Sequence, residues 1–103
     1  MSVITQFAMF PTDKGESVSP YVSRIIAMVR ESGVPYQLNA MGTVIETASL
    51  EEAQGFVLKA YHLLQTDCNR VYCTVSFDIR EGFIGRMEQK IASVEQKIGA
   101  VNH

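Results

Sequence analysis

Pro35-Tyr36-Gln37-Leu38-Asn39-Ala40-Met41-Gly42-Thr43-Val44-Ile45-Glu46 reads as two strands folded back on each other. Residues 35–40 and 43–48 form the arms, and the chain turns near Ala40-Met41-Gly42. The second arm reaches Glu46, a carboxylate that a half-buried strand has no packing reason to carry. Where this hairpin falls decides the fold: a strand and a helix precede it, and a helix and a strand follow.

Upstream, residues 3–10 set Val3, Thr5, Phe7 and Met9 against Ile4, Gln6, Ala8 and Phe10, and Pro11 stops the run. The pattern predicts a strand buried on both faces. After the polar loop Thr12–Ser17, Ser19-Pro20 supplies a helix N-cap and a proline at the first helical position. Val18, Val22, Ile25, Ile26 and Val29 make one stripe, and Gly33 with Pro35 closes that helix.

Downstream, Ser49-Leu50-Glu51-Glu52 is a capping box that starts a second helix. Ala53, Phe56, Val57, Ala60 and Leu64 form its buried stripe, while Gly55 in its interior suggests a close backbone approach. Residues 70–79 alternate without a break. Val71, Cys73, Val75, Phe77 and Ile79 share one face; Arg70, Tyr72, Thr74, Ser76 and Asp78 share the other. Gly82-Phe83-Ile84-Gly85-Arg86 reads as a turn. It leads into a last helix with Met87, Ile91, Val94, Ile98 and Val101 at heptad spacing. Two heptads are too short for a free coiled coil, so this helix should dock on its own sheet or on a neighbouring chain.

The order is strand, helix, strand, strand, helix, strand, and an extra helix. Two split strand–helix–strand units with right-handed crossovers give an α+β, ferredoxin-like βαββαβ antiparallel sheet with both helices on one face. The opposite face stays bare unless the final helix or another chain covers it. At 103 residues the chain fits one domain, spanning 1–103.

Composition narrows the function. With 47% hydrophobic and 19% charged residues and a net charge of −2, nothing favours a phosphate backbone, and the nine basic residues are scattered. No nucleic-acid partner is expected. Met1-Ser2-Val3-Ile4 lacks the features of a signal peptide and no apolar run is long enough for a membrane, so the reading is cytoplasmic. Cys68 and Cys73 do not have metal-motif spacing and read as two buried or half-buried thiols of a reducing compartment. No metal or cofactor is called for. His62 and His103 have no acid or nucleophile partner in sequence, which argues against an enzyme.

Several words in this order carry a resemblance: Ser19-Pro20-Tyr21-Val22, Pro35-Tyr36-Gln37-Leu38, Met41-Gly42-Thr43-Val44-Ile45-Glu46, Arg70-Val71-Tyr72 and Lys90-Ile91-Ala92-Ser93-Val94. Across essentially the whole chain they resemble the small thiamine-binding protein family (YkoF-like). That resemblance implies a ferredoxin-like fold, assembly as homodimers or homotetramers through the sheets, no enzymatic activity, and thiamine or its pyrimidine precursor as bound ligand. One departure matters: the family often has two adjacent aspartates before an arginine, whereas this chain has Asp78-Ile79-Arg80. Any contact made by the second aspartate is missing here.

Six residues are the candidate ligand contacts. Glu46 and Asp78 can hold the amine or offset the charge of a thiazolium ring. Tyr36 can stack on a pyrimidine. Thr43, Gln6 and Ser76 can complete the hydrogen bonds, although Thr43, three residues from Glu46, points to the opposite side of its strand unless a bulge intervenes. Each also has a plainer reading as a strand residue, a half-buried aromatic or a subunit contact. The competing function is a structural or regulatory self-association module with no small-molecule ligand.

Overall fold

A computed structural model describes residues 1–82 and 84–103. The elements are β1 (Ser2–Pro11), α1 (Ser19–Ser32), β2 (Tyr36–Asn39), β3 (Gly42–Thr47), α2 (Leu50–Gln65), β4 (Val71–Arg80) and α3 (Arg86–Ile98). The strands form one antiparallel sheet in the order β2-β3-β1-β4. The fold is ferredoxin-like. The turn expected at 82–86 includes Phe83, which lies outside the described residues.

One side of the sheet carries α1 and α2. Phe7, Met9 and Ile45 pack there with Ile25, Val29, Ala60 and Leu64. Transfer of these side chains from water is the main stabilising term for a domain of this size. Ser49 caps α2 as expected, its side chain accepting from the Glu52 amide at 3.2 Å. Gly33 ends α1 in the left-handed region, which only glycine enters without strain.

Four expectations are corrected. β1 is not buried on both faces: Val3, Thr5, Phe7 and Met9 are buried, whereas Gln6 on the other face is exposed. α1 begins one residue early, with Val18 at the cap and Pro20 inside the first turn, so no side chain caps it. Cys73 is exposed rather than half-buried, and both thiols are free. Gly55 has no close neighbour, since a Cβ there meets nothing within 4 Å. Gly55→Ala should therefore stabilise the protein by about 0.5–1 kcal/mol through helix propensity and a less flexible unfolded chain. A higher urea midpoint at unchanged slope is the expected result.

The fourteen-residue α1 and sixteen-residue α2 leave part of the sheet uncovered. β4 is an edge strand whose apolar face looks to the helix side; Val71 packs against the core there, and the later residues of the row do not. Val75, Phe77 and Ile79 are 38%, 39% and 51% exposed. α3 docks by its N-terminal half, from Arg86 to Ile91. Met87 is buried and Ile91 half-buried, but Val94 and Ile98 along the same stripe are exposed. The radius of gyration of 14.8 Å exceeds the roughly 13 Å of a compact domain this long.

Candidate functional site

Strand register builds the open face row by row. Gln37 pairs with Val44, Val44 with Gln6, and Gln6 with Ser76, so one row crosses all four strands. The next row holds Glu46, Ile4 and Asp78. The start of α3 crosses this face and encloses a cleft of about 320 Å³. Gln6, Gln37, Ser76, Asp78 and Lys90 are its polar lining, and Ile4, Val44, Phe77, Met87 and Ile91 are apolar.

A chain of alternating charges fixes α3 there. Glu46 is 1% exposed and accepts from Ser2 Oγ at 2.6 Å. It also accepts from the amides of Gly85 at 2.8 Å, Arg86 at 3.0 Å and Met87 at 3.2 Å. These amides are the unpaired donors of the α3 N-terminus, where the helix dipole also favours an anion. Burial opposes ionisation of Glu46, yet the bonds from Ser2 and from the Met87, Gly85 and Arg86 backbone outweigh it and hold its pKa below the usual glutamate value.

Arg86 is the buried cation of the chain. Its Nε donates to Ser2 Oγ, its Nη2 to the Ser2 and Asp78 carbonyls, and its Nη1 to Asp78 Oδ2 at 3.1 Å. Lys90 Nζ donates to the same Asp78 oxygen at 2.8 Å. The Lys90 hydrogen bond, against partial desolvation and with the Arg86 charge in support, keeps the Asp78 pKa below the ordinary aspartate range. Asp78 Oδ1 has no hydrogen bond among the described residues, and the side chain is 48% exposed.

The six sequence candidates divide. Gln6, Ser76 and Asp78 meet in the cleft. Glu46 looks to the same face, and its carboxylate caps α3, accepting from three amides at the start of that helix. Tyr36 and Thr43 lie on the helix side, in register with Ile45 and Phe7. Tyr36 packs half-buried against the core, and no bulge turns Thr43 round. These two cannot join Asp78 around one ligand in this cleft.

Gln37, Arg86 and Lys90 are the residues that sequence reading missed. Gln37 was within reach: it alternates with Tyr36 and Leu38 and so had to face away from the core. Arg86 and Lys90, one helical turn apart, share Asp78 only because α3 lands on this face.

Fold and cleft together define a ferredoxin-like domain with a small polar recess on its open sheet face. The family model described as "Thiamine-binding protein" matches residues 5–95, and the chain belongs to that family. UPF0045 protein Mb1933 of Mycobacterium bovis is 38% identical over 96 residues, covering 93% of this chain and 94% of that protein. The crystal structure of hypothetical protein MJ1052 from Methanocaldococcus jannaschii superposes with a TM-score of 0.81 at 28% identity, over 92% of this chain and 97% of that one. A candidate thiamine biosynthesis/salvage protein of Thermotoga maritima, at 19% identity and a TM-score of 0.78 over 91% of this chain and 99% of its own, shares the fold.

Proposed function

We propose that this protein binds thiamine or a related aminopyrimidine, without transforming it, in the cleft between the open sheet face and α3. The observation that carries this reading is Asp78, half-exposed in the cleft with Oδ1 free. A free carboxylate oxygen suits an exocyclic amine or a thiazolium charge. Gln6, Gln37 and Ser76 each bring donors and acceptors for ring nitrogens. Ile4, Val44 and Ile91 offer flat apolar contact, and the volume is at the lower end for small-ligand sites. Family membership supports the ligand class. Glu46 then acts at one remove, by holding α3 over the cleft.

The protein works as a cytoplasmic homodimer or homotetramer in this reading, with sister subunits covering the apolar row of β4 and the outer stripe of α3. No helix among the described residues is long and apolar enough to cross a membrane. Titration calorimetry with thiamine tests the site. Asp78→Asn should weaken thiamine about tenfold or more, the usual effect of losing a charged hydrogen-bond partner. No thiamine binding by the wild type, with an altered mass in solution for the variant, would instead favour a pure self-association module, which the exposed apolar residues of β4 and α3 also suit.

A further inference from the structure

α3 keeps its charges apart. At helical spacing, Arg86, Lys90, Ser93 and Lys97 fall within about 60° of arc on one flank, while Glu88 and Glu95 fall on the opposite one. Arg80 shares the open sheet face with Asp78, because alternate residues of β4 point the same way. Between Arg80 and the basic flank of α3 runs a trough of about 640 Å³. Arg80, Arg86, Gln89, Lys90, Ser93 and Gln96 are its polar lining, and no carboxylate lines it.

Donors outnumber acceptors around this trough. The buried Arg86 guanidinium spends its Nε proton on Ser2 Oγ, both Nη2 protons on the Ser2 and Asp78 carbonyls, and a single Nη1 proton on Asp78 Oδ2. The other Nη1 proton has no acceptor among the described residues. Lys90 spends a single ammonium proton, on the same Asp78 oxygen. Glu46 and Asp78 offset Arg86 and Lys90, which leaves the charges of Arg80 and Lys97 over. Neither makes an ion pair among the described residues. Glu81 follows Arg80 in the chain but does not pair with it and does not line the trough.

We propose that this trough binds a diphosphate group, free or carried on a larger molecule. An anion with two phosphoryl centres can meet Arg80 on one wall and Lys90 with Arg86 on the other, and guanidinium and ammonium donors suit phosphate oxygens. Gln89 and Ser93 add neutral donors. Lys90 is the wall shared with the cleft of Asp78, since it lines both spaces. The Asp78 charge therefore acts on the two sites with opposite sign: it attracts a cation into the cleft and repels an anion from the trough. The trough itself does not depend on what the cleft holds.

The probe is inorganic pyrophosphate, followed by amide chemical shifts of the full chain at low salt. Saturable shifts centred on Arg86, Lys90 and Ser93 are expected, with orthophosphate weaker. Arg80→Gln should weaken pyrophosphate about tenfold or more, the usual effect of losing a charged hydrogen-bond partner. Glu88→Gln, on the far flank, should change nothing. Asp78→Asn should tighten pyrophosphate about threefold by removing a nearby negative charge, the reverse of its expected effect on thiamine, so the two sites stand or fall separately. Arg80→Gln decides the matter even where Asp78→Asn loosens α3, because Arg80 is exposed and pairs with no other side chain among the described residues. Adenosine diphosphate binding no tighter than pyrophosphate assigns recognition to the free anion, and tighter binding assigns it to a carried group. Unchanged affinity in Arg80→Gln, orthophosphate or sulfate binding as tightly as pyrophosphate, or shifts that never saturate would each overturn the proposal.

Discussion

Glu46→Ala is expected to destabilise the protein by about 3–5 kcal/mol, the range for removing one member of a buried charged network. The change strands the Ser2 hydroxyl and three amides that all donate to this carboxylate. It also leaves the Arg86 guanidinium, with only 6% of its side chain exposed, dependent on Asp78 alone for counter-charge. Glu46→Gln keeps the shape and one acceptor oxygen, so it should cost less, about 1–2 kcal/mol. Urea unfolding measures both. Hydrogen exchange should quicken first at Gly85, Arg86 and Met87, because α3 touches the sheet only at this end. A loss below about 1 kcal/mol in the alanine variant would mean that the cap is not what anchors α3.

The same carboxyl sets an acid limit. Its folded pKa lies below the ordinary glutamate value, so at mildly acidic pH the unfolded state binds more protons than the folded state. Stability from this group is fully present above the unfolded value and is lost as pH falls through the folded one. Glu46→Gln should lack that part of the acid dependence, and a difference between the two unfolding curves that vanishes at low pH is the signature.

Phe77→Asp should convert the proposed oligomer into single chains, raising the dissociation constant by about 100-fold or more, as expected when a buried apolar contact becomes an unpaired charge. β4 runs for ten residues in unbroken register with β1 on one side, while its other edge is free. No proline, lysine or bulge blunts that edge, and such edges recruit other strands. An antiparallel sister strand would place apolar row on apolar row, and Val75, Phe77 and Ile79 would then leave water together. Phe77 is already 39% exposed in the single chain, so its replacement should leave the monomer fold intact. Light scattering at tens of micromolar reads the result beside a circular-dichroism control. A wild-type mass of one chain would sink the assembly outright.

Much of this molecule was written in short-range pattern. The alternation of 70–79 fixed which residues of β4 share a face, and the register with β1 placed Gln6 opposite Ser76. The Ser49 capping box and Gly33 marked helix ends that the structure keeps. Pattern did not reveal whether a face is covered. The apolar row of β4 looked like core in sequence, yet only Val71 at its start packs against the core and Val75, Phe77 and Ile79 stay exposed. Glu46 looked like a free carboxylate for the same reason: nothing near residue 46 in the chain announces three amides arriving from residues 85–87.

The sequence by itself determined the element order, the faces of each strand and hence the ferredoxin-like topology, because these depend on periods of two and 3.6 residues and on local caps. Only the tertiary structure decided the landing of α3, the burial of Glu46, the pairing of Asp78 with Arg86 and Lys90, and the cleft on the open face. The landing of α3 and the burial of Glu46 depend on contacts between residues some 40 to 85 positions apart, the Asp78 pairs form only once α3 has landed, and no local repeat records which surfaces such contacts bring together.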